Sequence, residues 1–203
     1  MSVIRSMMVI LIVATSLVVS EGVFAQDSAD QILEEARAQA AEIEKLKKVI
    51  NEEPDQNVRL VAFDLMISKG DSIMHEIAVE AGLASADKLL QAAAFKEAIM
   101  NLDRLHLTLV VDTDASEVIQ EASQAYLDEK GDQYVLVFDK KDTKAGTVTS
   151  RSFKGQVTGT RLTYTWASGN GTLSLKDDNA VSGDIMHPSG NKKLKFVATG
   201  NIR

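Results

Sequence analysis

No cysteine occurs anywhere in the 203 residues, so no disulfide can form even in an oxidising compartment, and no cysteine is available to carry a lipid behind a leader. Histidine is nearly as scarce: His75, His106 and His187 are the only three, and none sits in a nucleophile-elbow or zincin context. Hydrolase and zinc chemistry therefore find no sequence support, and no cofactor is implied. The acidic group Asp177, Asp178, Asn179 and Asp184 matches no calcium loop and reads as a hairpin turn, so no metal site is expected. His187 follows the same logic, a surface imidazole in the turn Pro188-Ser189-Gly190. Beyond the first 25 residues no long apolar run appears, which leaves no membrane-spanning segment in the mature chain.

What is present begins with an address. Arg5 precedes an uncharged, mostly apolar run from Met7 to Val19, the length of a signal-peptide core rather than of a membrane span. Val23-Phe24-Ala25 places small residues around a cleavage point before Gln26, so residues 1–25 are expected to be removed on export. The expected location is the periplasm, with full secretion the alternative.

The remaining chain divides by charge. Residues 26–130 hold 22 acidic and 10 basic side chains, whereas residues 131–203 hold 6 and 11. That opposition suggests two modules, a helical one over 26–130 and a β module over 131–203. The basic tail is a candidate for an anionic ligand, an envelope protein or the acidic half itself, and nucleic acid is not expected in this compartment.

Ser28 and Gln31 form a capping-box pattern, and from there to Asn51 the chain has no glycine or proline. Ile32, Ala36, Gln39, Ile43, Leu46 and Ile50 then repeat at four and three, which predicts a helix over 28–51 with a seam as narrow as a coiled coil's. Such a face serves its own body, a partner or a homo-oligomer. Pro54 interrupts, and Val58, Val61, Ala62, Leu65 and Met66 mark a second helix that Gly70 closes. Asp71 or Ser72 caps a third with Ile73, Ile77 and Ala78 inward, and Ser85 caps a fourth carrying Leu89, Leu90, Ala93, Ala94 and Ala98. The stretch over 55–100, with Asp55, Val58 and Arg59 opening one unit and Ser85, Asp87 and the Ala92 to Ala94 cluster suggesting another, resembles the HEAT-type helical repeat. The resemblance implies a protein-binding scaffold; a plain helical bundle has the same periodicity.

Arg104 to Asp112 alternates at period two and reads as a strand, with a leucine-rich helix the open alternative. Glu117 to Glu129 is amphipathic, with Val118, Ile119, Ala122, Ala125 and Tyr126 inward. After Gly131 come six or seven short alternating runs separated by turn sequences such as Ser168-Gly169-Asn170-Gly171. The fold class is thus α+β, a helical module followed by a small antiparallel β-barrel or sandwich. Its inward candidates are Leu136, Phe138, Val148, Val157, Leu162, Tyr164, Trp166, Leu173, Leu175, Val181, Ile185, Leu194 and Phe196.

Two sets of side chains in the β half can recognise a ligand. Tyr164 and Trp166 project from one face of a strand and form a stacking platform if exposed. Arg161 projects from the opposite face and joins Arg151, Lys154, Lys192, Lys193 and Lys195 in a basic patch. The expected function is a non-catalytic, exported binding or adaptor protein whose helical half contacts a protein and whose β half holds a ligand or docks within the chain. A small-ligand carrier using the β interior is the alternative.

Overall fold

The structure is a computed structural model describing residues 21–68, 72–151, 153–166 and 169–202, with the backbone alone for 21–28 and 192. Most of the expected leader, Gly70, Asp71 and Ser168 lie outside the described residues. The layout is α+β: helices α1 (Glu21–Glu52), α2 (Gln56–Ser68), α3 (Ser72–Leu83) and α4 (Lys88–Asn101), strand β1 (Arg104–Val111), helix α5 (Glu117–Lys130), and strands β2 (Gln133–Val137) to β9 (Lys192–Asn201). Between these run β3 (Lys140–Asp142), β4 (Thr147–Thr149), β5 (Phe153–Thr158), β6 (Arg161–Trp166), β7 (Gly169–Leu175) and β8 (Ala180–Ser189). Helix α1 starts seven residues before Ser28, so the capping-box pattern lies inside the helix rather than at its end. Contacts divide the chain after Glu44, not at Gly131, and Lys45–Arg203 is one compact unit. The reason is β1: the stretch between two helices is a strand, and it pairs with both β2 and β9.

In α2 to α4 the buried faces are set by aromatics and small residues. Phe63, Met66, Leu90, Ala94, Phe95 and Ile99 are buried, whereas Val58, Val61, Leu65, Ile73 and Leu89, all expected inside, are exposed. On α2 the buried Phe63 lies nearly half a turn round the helix from Val58, Val61 and Leu65, so seating its ring inside turns that stripe to solvent, and on α4 Phe95 stands in a similar relation to Leu89. The fourth helix is capped by Asp87 rather than by Ser85: its carboxylate accepts from Leu89 N at 2.9 Å and from Leu90 N at 3.4 Å. Ser85 Oγ instead accepts from Asp87 N.

The nine strands form one antiparallel sheet in the order β2-β1-β9-β8-β7-β6-β5-β4-β3, curled into a half-barrel. Its two end strands are consecutive in the chain, joined only by Phe138 and Asp139. Phe138 N donates to Asp103 O beside β1, and Asp139 N donates to Thr149 O at the end of β4. One short segment therefore links the two ends of the sheet, which requires the sheet to curl, while β2 and β3 each keep one unpaired edge. Of the inward candidates, all are buried except Trp166 and Leu175, which are half-buried. The strand boundaries move at two turns. Gly169, Asn170 and Gly171 open β7 instead of forming the turn, and β8 runs on through His187 and Pro188 to Ser189, leaving the turn to Gly190 and Asn191.

A candidate binding site at the aromatic mouth of the sheet

Strict alternation sends two chemistries to opposite faces. On β6, Leu162 and Tyr164 are buried and Trp166 half-buried, while Arg161, Thr163 and Thr165 are exposed. Lys154 and Lys195 lie on the outer face in a single cross-strand row with Thr165, Asn170 and Met186 between them. Four strand spacings of about 4.8 Å put their backbones roughly 19 Å apart, too far to share one small anion. Arg151, Lys154, Arg161 and Lys193 are exposed and have no ion pair among the described residues. Lys195 is half-buried and lines a small outer pocket of about 280 Å³ with Asp112, Asn170, Thr172 and Asp184. The side chain of Lys192 is among those not described.

The inner face gathers rings. At the end where β2, β7 and β9 begin and β6 and β8 end, Tyr126 of α5 lies 5.1 Å from His187 and 5.7 Å from Phe196 between ring centroids. His187 lies 6.0 Å from Trp166 and 6.2 Å from Tyr134, and Tyr134 lies 6.3 Å from Trp166. Trp166 in turn stacks on Tyr164 at 5.6 Å with the planes 19° apart. Tyr126, Tyr134, Trp166 and His187 are half-buried, and beneath them Tyr164 is 1 % exposed. His187 is thus not a surface turn residue but the centre of a mouth, because β8 extends further than its proline suggested.

Two local devices build this mouth. Strand β1 ends at Val111, opposite Phe196, so the Lys195 backbone amide would lose its partner on that side. Buried Ser123 of α5 replaces it, its Oγ accepting from Lys195 N at 3.2 Å, and this bond seats α5 across the end of the sheet with Tyr126 over Phe196. The second device is a pair of glycines opposite the rings. Gly171 pairs with Tyr164 and Gly169 with Trp166, and a Cβ at either position would overlap the facing ring. Both aromatics therefore lie flat across β7.

No described residue uses the polar edges of these rings. No hydrogen bond joins the Tyr126, Tyr134 or Tyr164 hydroxyls, the Trp166 Nε1 or the His187 nitrogens to a described residue, and the Tyr164 hydroxyl is both buried and without a partner. Burial pushes the Tyr164 phenol up, with the neighbouring Tyr134 adding to it; burial raises Tyr134 as well and lowers His187. All three are thus held neutral near pH 7. The sequence had marked Tyr164 and Trp166 but neither Tyr126, Tyr134 nor His187, which reach the same place from three other elements.

A second concavity lies in the helical part, a groove of about 720 Å³ lined by Asn51, Gln56, Arg59, Ser85, Asp87 and Lys88. Arg59 Nη2 pairs with Asp87 at 2.6 Å, Arg59 Nη1 donates to the Glu53 and Pro54 carbonyls, and Gln56 Nε2 donates to Asp87 at 2.8 Å. The Arg59 guanidinium, ahead of the other bonds, holds the Asp87 carboxyl at about 2. Arg59, Ser85 and Asp87, three of the residues that carry the helical-repeat resemblance, thus meet in a hydrogen-bonded structural network. Among the described residues no three His, Asp or Glu side chains converge to hold a metal, and no helix is long and apolar enough to cross a membrane. Comparison with protein-family models, with curated proteins and with solved structures finds no match.

Proposed function

We propose that this chain is a non-catalytic binding protein of the cell envelope, exported through its leader, that takes a small ligand at the aromatic mouth of its curled sheet. One observation carries the reading: five ring-bearing side chains from four elements converge with polar edges that no described residue engages, the deepest of them a buried phenol without a hydrogen-bond partner among the described residues. Buried phenols and indoles usually find a hydrogen bond, and a ligand supplies what the protein leaves open. The interior below is filled by Leu162, Leu173, Ile185, Leu194 and Phe196, which favours a ligand held at the mouth over cargo carried inside. The test is native mass spectrometry of the tagged mature chain captured from envelope extract. The expected result is a small molecule retained by the natural chain and lost from Trp166→Ala; a bare chain in both cases overturns the reading.

A second reading, an adaptor that contacts a protein, is favoured by α2. Val58, Val61 and Leu65 are 43 %, 57 % and 46 % exposed and follow one another at three and four, an apolar stripe turned to solvent. In the same capture, a protein partner retained by the natural chain and lost from Val61→Asp supports it.

A further inference from the structure

We infer that the ligand of the mouth is a neutral carbohydrate, an inference that rests on the binding reading above and narrows it to one chemical class. Every side chain there has the same double character. Tyr126, Tyr134, Trp166 and His187, all half-buried, each combine a flat apolar face with at least one hydrogen-bonding atom that no described residue engages, and Tyr164, buried beneath Trp166, adds a hydroxyl without a described partner. A sugar ring is built in the complementary way, with C–H groups on its face and hydroxyls around its rim. A flat aromatic ligand would satisfy the faces and leave the edges unpaired, at a cost for each buried polar group.

Charge argues for neutrality. Among the described residues the aromatic contacts of the mouth are with other rings, and the Lys130 ammonium that acts on Tyr126 is already paired with Glu129 at 2.7 Å. The exposed cations Lys154 and Arg161 project from the other face of the same strands. A charged ligand entering this partly desolvated mouth would meet rings that burial keeps uncharged, whereas a neutral one needs no counterion. Burial that keeps His187 and the phenols uncharged acts in the same direction. The half-buried indole of Trp166, stacked over Tyr164, is the platform on which a sugar rests, and the Tyr164 hydroxyl beneath it is the deepest hydrogen-bonding group of the site.

Trp166 is the only tryptophan, so its emission reports directly on the mouth. The mature chain is titrated with maltose, N,N′-diacetylchitobiose, glucuronate and 2-naphthol, in natural form and as Tyr164→Phe, with circular dichroism checking that the variant folds. The expected result is that at least one neutral disaccharide shifts the emission saturably, that glucuronate binds at least tenfold more weakly, and that folded Tyr164→Phe loses about tenfold in affinity, the size of one hydrogen bond. Glucuronate binding as tightly as the disaccharides overturns neutrality. Binding of 2-naphthol with no response to either sugar overturns the carbohydrate class and leaves the site standing. No response to any of the four overturns both the class and the site.

Discussion

The two faces of the curled sheet are written in alternate residues of the same strands, yet they are different materials. The inner face carries Leu105, Leu107, Leu162, Tyr164, Leu173, Ile185 and Phe196, all buried. The outer face carries Thr163, Thr165, Thr199, Lys154 and Arg161, all exposed. A one-residue shift would exchange them, so period two decides which chemistry each face presents. The lesson is that the aromatic pair Tyr164 and Trp166 and the cations Lys154 and Arg161 cannot act on one small ligand: alternation puts those rings inside and those cations outside.

The contrast is broken most severely from within. Phe196 lies under Tyr126 and opposite Ile185, and Phe196→Ala is expected to cost about 3–5 kcal/mol in urea unfolding. A cost below 1 kcal/mol, on the order of a surface substitution, would mean that the inner face is not packed. Gly171→Ala follows, because its methyl group meets a ring that cannot bend away. Overpacking of this kind costs roughly 1–3 kcal/mol, and displacement of Tyr164 would shift the emission of its stacking neighbour Trp166.

A smaller, pH-dependent effect comes from His187. Its folded-state pKa lies below its ordinary value of 6.5, so the native state binds fewer protons than the unfolded chain in that range. Its contribution is complete above pH 6.5 and is lost as pH falls from there through the lowered value. A His187→Phe variant should show a shallower loss of thermal midpoint between pH 7 and pH 5 than the natural chain; an unchanged slope would place the imidazole in water. The smallest effect belongs to the outer face, where Thr163→Ala is expected to stay within about 0.5 kcal/mol of the natural chain.

The helices show where pattern reading is weak. Alternation along β6 identified Leu162 and Tyr164 correctly because a strand has only two faces. Helix α2 offered Val58, Val61, Ala62, Leu65 and Met66 as its inward set, and the fold buried Ala62 and Met66 together with Phe63 while leaving the other three exposed. A helix can rotate by small steps, and the largest ring competes for the core against any regular stripe. The site was half legible for a similar reason. Tyr164 and Trp166 share one strand, whereas Tyr126, Tyr134 and His187 lie 38, 30 and 23 residues from Tyr164 in sequence, and nothing local relates them.

By itself the sequence determined the α+β division, the strand character of the final third and the inner face of each strand, because charge distribution, turn residues and side-chain period are local properties. Only the tertiary structure decided that β1 leaves the helices to join the sheet, that two linked strands draw the sheet's ends together, and that α5 brings Tyr126 against His187. Those outcomes depend on pairing between distant segments, where hydrogen bonding and burial are shared by residues that no short window of the chain contains.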